Sequence, residues 1–257
     1  MDIHPTAIVH PGAELAPDVK IGPYAVVEDG VAVGEGCVVG PHAHLLSGTV
    51  IEPRCEIHTG ALIGGPPQDL SFDRNVRSGV LVGEGTVVRE YATIHRAAKE
   101  GGKTVVGRKC FLMGLSHVAH DVVLGDMVIV ANGALLAGHV TVGDRAFISG
   151  NVAVHQHCRI GRLAMVGGLA RVDLDIPPFM TAEGNCQVRH YNVIGMRRAG
   201  FSRDEVDAVR RAYRILYRSG LPLSDACKRI EEEIDSPLAS EIAEFCRTSK
   251  RGISRNI

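Results

Sequence analysis

Tryptophan is absent from this 257-residue chain, which holds only five tyrosines and six phenylalanines. So few rings point to an interior that small side chains must fill, a narrow prism rather than a broad core. Net charge is equally scant. The 28 Lys and Arg against 29 Asp and Glu leave −1 at neutral pH, which removes any global electrostatic case for nucleic acid or an anionic membrane. No run of about 18 apolar residues occurs, so no membrane span is expected. The opening MDIHPTAIVHP has no basic stretch followed by an apolar one, and no secretion signal is read there. The seven cysteines are odd in number and form no CxxC pair. Four of them (Cys37, Cys55, Cys110, Cys158) replace Ala or Val in the repeat described next, as buried thiols acting as small hydrophobes do. A reducing, cytoplasmic compartment follows.

What the chain has in abundance is a period of six. From Val106 every sixth residue is aliphatic: Val106, Leu112, Val118, Leu124, Val130, Leu136, and so on to Val172. Four places after each stands a small or β-branched residue, such as Cys110, Ser116, Val122 and Ala134. Neither a helix nor a lone strand has this period. It marks a solenoid of very short strands, and the expected fold is a left-handed parallel β-helix of hexapeptide repeats, three hexads to a coil. The same period runs from Ile3 to Ile63 and resumes at Val82. Glycine follows the aliphatic in many hexads (Gly22, Gly107, Gly143), consistent with a corner after each face. Two polar stretches, 65–78 and 97–104, interrupt the count and read as loops extruded from the solenoid.

The repeat is expected to stop near Ile176-Pro177-Pro178, with a connector through Gly200. Beyond it Ser202-Arg203-Asp204-Glu205 is a capping box opening a helix that Ser219-Gly220 and Pro222 end. Further helices are expected near Ser224 and from Ala239 to Arg247, covering the open end of the solenoid. The basic tail Lys250, Arg251 and Arg255 reads as a solvated end. The chain therefore reads as an all-β solenoid, 1–184, followed by a connector and small α domain, 185–257.

Positions 18 apart should stack one strand spacing (~4.8 Å) apart. His120, Gly138 and Gln156 then form one column. His139 and His157 form its neighbour above Asp121, with His117 and His155 at corners close by. One outward histidine is ordinary surface, but five beside an aspartate are a candidate site. A neutral imidazole is the usual general base. A glycine above it leaves a backbone N–H free to face an oxyanion. No Ser or Cys nucleophile stands in the column, which favours direct acyl transfer. Several His could instead gather a zinc ion. A third column of Gly114, Asn132, Gly150 and Gly168 leaves a shallow trench, either for a long apolar chain or for another subunit.

The segments SHVAHD, LAGHV, AVHQ, GGPPQDL and GMRRAGFS, with the capping helices, resemble the UDP-N-acetylglucosamine O-acyltransferases that begin lipid A synthesis, over essentially the full length. The resemblance implies a homotrimer with active sites between subunits and no metal or other cofactor. It also implies transfer of a 3-hydroxyacyl chain from acyl carrier protein to the 3-hydroxyl of the UDP-sugar. By the same resemblance His120 would be the general base, Asp121 its supporting acid, and the Gly138 N–H the oxyanion donor. His139 and His155 would shape the sugar and diphosphate site, lined by His117 and Gln156. Gln68 and Asp69 would contact the acyl hydroxyl and the sugar, with His95 nearby. Asn192 and Arg198 would hold the nucleotide, and Gly168 would set acyl length, as in a long-chain enzyme. Three positions depart from the family pattern. Ser71 stands where Lys is usual, Ala199 replaces the second of two arginines, and Ile194 replaces an acidic residue. All touch the acceptor side, which leaves the 3-amino-3-deoxy sugar or a diverged paralogue open. From the histidine patch itself a γ-carbonic-anhydrase-like metal hydratase and a non-catalytic scaffold stay open as further alternatives.

Overall fold

The computed structural model describes residues 1–254. The six-residue period appears in it as a chain that visits three parallel sheets in rotation, so that every third strand lies beside its predecessor. Sheets 1, 2 and 3 hold eleven, nine and eight strands. Ile3 pairs with Ile21, Val9 with Val27 and Leu15 with Val33, a step of 18 residues in each sheet. This topology, followed by helices, is consistent with a left-handed parallel β-helix and a C-terminal helical region.

Most strands are two residues long, so local propensity contributes little and coil-to-coil hydrogen bonds with the buried row carry the structure. Leu112, Leu124, Leu136, Ile148 and Ile160 are all buried, with Cys110, Val122, Ala134, Ala146 and Cys158 filling the space between them. Each such large side chain contributes about 1.5–3 kcal/mol. All seven cysteines are free and buried.

The corners are not made by the glycines that follow the aliphatics. Non-glycine residues two places later take the left-handed conformation, among them Asp121 (φ 59°), His139 (φ 61°) and Arg145 (φ 57°). The glycines permit close approach instead: a Cβ on Gly107 would lie 2.3 Å from the Gly125 carbonyl oxygen. The register lengthens where the two loops leave. Ile57 pairs with Val88, and Val88 with Leu112. The first loop joins strands Leu62–Gly65 and Gly79–Val82. The second ends earlier than the sequence suggests, because Lys103 already pairs with Gly79.

The coil also continues past Pro178. Ile176 bridges Ile160, and strand Met180–Glu183 pairs in parallel with Met165–Val166. The expected connector is ordered: strand Gln187–Tyr191 folds back antiparallel on Met180–Glu183. A short helix, α1 (Val193–Arg198), follows it, capped by the Asn192 side chain. Helices α2 (Arg203–Arg218), α3 (Leu223–Glu233) and α4 (Pro237–Arg247) come next, and α2 opens on the expected capping box. The last helix is clamped to the coil. Arg162 grips Glu241 through two hydrogen bonds, and Arg159 donates to the Phe245 carbonyl. Arg159 also pairs with the buried Asp175, which accepts from Ser249. The tail is not simply solvated. Arg251 donates to the Asp173 carbonyl and Ile253 bridges Asp175, while Arg255 lies outside the described residues. No helix is long and apolar enough to cross a membrane, among the described residues.

Candidate active site

The corner between sheets 2 and 3 holds the histidine columns. His139 N–H donates to the His120 carbonyl and His157 N–H to that of Gly138, so successive coils stack corner on corner. His120 Nδ1 lies 2.8 Å from Asp121 Oδ2. With the carboxylate ionised, Nδ1 carries the hydrogen and Nε2 is left as an acceptor. Nε2 faces Gly138, where an added Cβ would lie 2.7 Å from it. The column read from the sequence is therefore present, and only glycine leaves room for the ring. The Gly138 N–H has no hydrogen-bond partner among the described residues.

Asp121 is anchored from three sides. Its N–H donates to Thr104 Oγ1, and its Oδ2 accepts from the Ala98 N–H at 3.0 Å as well as from His120. Burial works to raise the Asp121 carboxyl, but the bonds from His120 and the Ala98 N–H, with the nearby imidazole of His139, outweigh it and hold it below the usual carboxylate range. His139 packs edge-on to His120 and stacks on His157 at 4.5 Å between ring centres. Burial pushes the His139 pKa down, against the pull of Asp121, and His157 and His120 push the same way. Ligand atoms of His120, Asp121 and His139 all lie within 4.8 Å of one another, so these three could hold a metal ion.

His120 and Gly138 open into a cavity of about 360 Å³ on the outer face of sheet 2, lined also by Gln68, His95, His117 and Leu135. His117 is on a strand rather than at a corner, because its neighbour Val118 fills the inward place. It bonds Thr93 Oγ1 at 2.7 Å, and burial, with His95 and His120 beside it, pushes its pKa down to about 4. Burial likewise lowers His95, whose Nδ1 has no hydrogen-bond partner among the described residues. Asp69 lies outside this lining, but its carboxyl is lowered by bonds from Ser71 and by the charge of His120. The structure does not bring His155 and Gln156 into the cavity; both are exposed, and His155 Nδ1 turns to the Gln156 carbonyl.

Gly114, Asn132, Gly150 and Gly168 stack along the other edge of sheet 2, where it meets sheet 1. A Cβ on Gly150 would lie 3.4 Å from the Asn132 carbonyl oxygen, and one on Gly168 3.6 Å from that of Gly150. The edge is bare but flanked by Leu115 and Leu169, which are 66% and 79% exposed. A second cavity, about 840 Å³, lies against sheet 1 between Phe147, Met165 and α1, and both Asn192 and Arg198 line it. Asn192 is already engaged there: its Oδ1 accepts from the Gly195 N–H and its Nδ2 donates to the Leu163 carbonyl. The two cavities share no lining residue.

A family model described as UDP N-acetylglucosamine O-acyltransferase, domain 2, matches residues 175–254, and a bacterial transferase hexapeptide model matches 30–65. The acyl-acyl-carrier-protein–UDP-N-acetylglucosamine O-acyltransferase of Syntrophobacter fumaroxidans is 42% identical over 99% of this chain and 100% of its own length. The chain belongs to the UDP-N-acetylglucosamine O-acyltransferase family. Its architecture agrees with solved members. The enzyme of Campylobacter jejuni superposes with a TM-score of 0.94 at 38% identity over all of both chains, and that of Bacteroides fragilis with 0.94 at 39% over 97% and 98%. The chain is thus an acyltransferase of this family's type.

Several groups around the acyltransferase's histidines escape sequence reasoning. Thr93, Ala98 and Thr104 reach the columns from strands or loops whose register depends on the length of the two extruded loops. Only the outward place of Thr93, one residue before the buried Ile94, carried a signal. The apolar wall of the second cavity (Ile129, Phe147, Met165) was legible as outward residues of the hexads, though nothing in the sequence says that α1 folds over them.

Proposed function

We propose that this acyltransferase moves a long 3-hydroxyacyl chain from the thioester of acyl carrier protein to the 3-position of UDP-N-acetylglucosamine, the first step of lipid A biosynthesis. His120 Nε2 takes the proton of the sugar hydroxyl as that oxygen attacks the thioester carbonyl carbon. The π pair of the C=O bond moves onto the carbonyl oxygen, which becomes an oxyanion facing the Gly138 N–H. Collapse of the tetrahedral intermediate expels the carrier thiolate, which recovers the proton from His120. Asp121 holds the imidazole in the required tautomer and steadies its charge while it is protonated. The observation that supports this most is the imidazole Nε2 held directly under a side-chain-free peptide.

Around that centre, Gln68, Asp69 and His95 contact the acyl hydroxyl and sugar, His117 and His139 line the sugar path, and the exposed His155 and Gln156, at the same corner but outside the cavity, meet the substrate where it leaves it. Asn192 and Arg198 hold the nucleotide, and Gly168 admits a long acyl chain. Because the nucleotide residues line a cavity on sheet 1 and His120 stands where sheets 2 and 3 meet, one chain does not unite them. A homotrimer of left-handed coils, with sites between subunits, does. Residues 1–184 make the coil and 185–257 the connector and helical domain, and the enzyme works in the cytoplasm, where acyl carrier protein is charged. Ser71, Ile194 and Ala199 leave the acceptor atom, O3 or N3, to experiment. Purified protein given mixed 3-hydroxyacyl carrier donors, UDP-N-acetylglucosamine and its 3-amino-3-deoxy analogue should yield one long-chain product by mass spectrometry. An ester or an amide names the acceptor, and no acylated sugar at all would overturn the proposal.

A further inference from the structure

The second cavity has an unusual charge balance. Its lining contains two guanidinium groups, Arg145 and Arg198, one histidine, His190, and no carboxylate. Elsewhere on the coil arginines are tied down: Arg108 to Asp126, Arg159 to Asp175, Arg162 to Glu241. The side chains of Arg145 and Arg198 have no hydrogen-bond or ion-pair partner among the described residues. Arg145 also interrupts an apolar column. Successive corners between sheets 3 and 1 present Met127, Arg145 and Leu163, and the N–H of each donates to the coil before it. Met127 and Leu163 line the same cavity, so the arginine's aliphatic stem can lie along them while its head stays wet.

We propose that Arg145 is a phosphate-binding residue, forming with Arg198 a two-arginine clamp on the diphosphate of the nucleotide sugar. This deepens, and rests on, the function proposed above. Arginine suits the task because its planar fork of donors meets phosphate oxygens in pairs. One arm of the clamp comes from the rigid corner of the coil and the other from α1, so the diphosphate would be held between the two domains. Ala199 lines the same cavity beside Arg198 and offers no charge, which leaves room to build a replacement.

The test uses the full-length protein. In steady-state kinetics Arg145→Ala should raise the KM for UDP-N-acetylglucosamine about tenfold, as loss of a charge-assisted hydrogen bond does. Its kcat and its KM for the acyl carrier should stay within about twofold. Calorimetry should find UDP binding weakened by a similar factor, with uridine, which lacks phosphate, unaffected. Adding Ala199→Arg to the Arg145→Ala protein should recover most of the loss, which a merely structural defect would not permit. Unchanged UDP binding in R145A, equal weakening of UDP and uridine, or no recovery with the second arginine each overturns the assignment. The two proposals fail separately. A wild-type protein that binds UDP through Arg145 but acylates neither sugar refutes only the function, and active transfer indifferent to R145A refutes only the clamp.

Discussion

At the scale of residues, the site depends on one missing methyl group. Gly138 has no left-handed backbone requirement, so Gly138→Ala should fold, with the melting temperature close to that of the wild type. The new Cβ would meet the His120 ring at 2.6–2.7 Å and push it aside, and displacement on this scale costs about 10²-fold in rate. Activity kept at the wild-type level in G138A would contradict the geometry. His117 makes a separate prediction. In the fold it resists protonation down to about 4, whereas an unfolded histidine takes a proton near ~6.5. Between those values the unfolded chain holds more protons, so acid favours unfolding and stability falls as pH drops from about 6.5 toward 4. His117→Gln should flatten this limb in urea titrations at pH 7 and pH 5. An equally steep acid limb in the variant would show that the burial of His117 is not its source.

At the scale of elements, the ends and interruptions of the coil carry what the repeat does not. Asp175 is 1% exposed and joins Arg159, Ser249 and the tail bridge at Ile253. Because Arg159 is partly exposed and keeps its bonds to Thr248 and Phe245, removing Asp175 costs the bonds it accepts, about 1–3 kcal/mol in all. Asp175→Ala should therefore lower urea stability by that order and speed hydrogen exchange in 248–254, and unchanged exchange there would mean the tail is held by other contacts. This scale was also the least legible. The period of six made Val106 to Val172 readable because every hexad repeats the same inward requirement. Strand Gln187–Tyr191 and α1 have no such template. The first is ordered by pairing with Met180–Glu183, and the second by a local asparagine cap whose residue is itself fixed by long-range bonds to the Leu163 and Phe179 carbonyls. Glycine was read as the corner former, yet the corners tolerate Tyr24, Arg145 and Leu163 at positive φ. There the coil-to-coil hydrogen bonds outweigh a local cost of about 1–2 kcal/mol per residue.

At the scale of the whole molecule, a coil stacks identical positions, and distance along the axis becomes distance in sequence. That is why the spacing of the sequence alone aligns His120 with Gly138 and sets Gly114, Asn132, Gly150 and Gly168 in one trench. His155 and Gln156 show the limit of that reading: they share the corner but not the cavity. The separation of the histidine corner from the Asn192–Arg198 cavity makes assembly part of the proposed activity. Mixed assemblies refolded from His120→Ala and Arg198→Ala subunits, each impaired alone at low UDP-sugar, should regain part of the wild-type rate there, since some interfaces join an intact His120 to an intact Arg198. Sedimentation should find a trimer, and a monomer, or no regained activity, would contradict sites between subunits.

The central claim is that the His120 imidazole is the base of the transfer. The most direct measurement is the single-turnover rate of acyl transfer by His120→Ala, with circular dichroism on the same sample. The account predicts a native spectrum and a rate lower by about 10²–10⁴-fold; a folded variant that transfers acyl groups at the wild-type rate would contradict it.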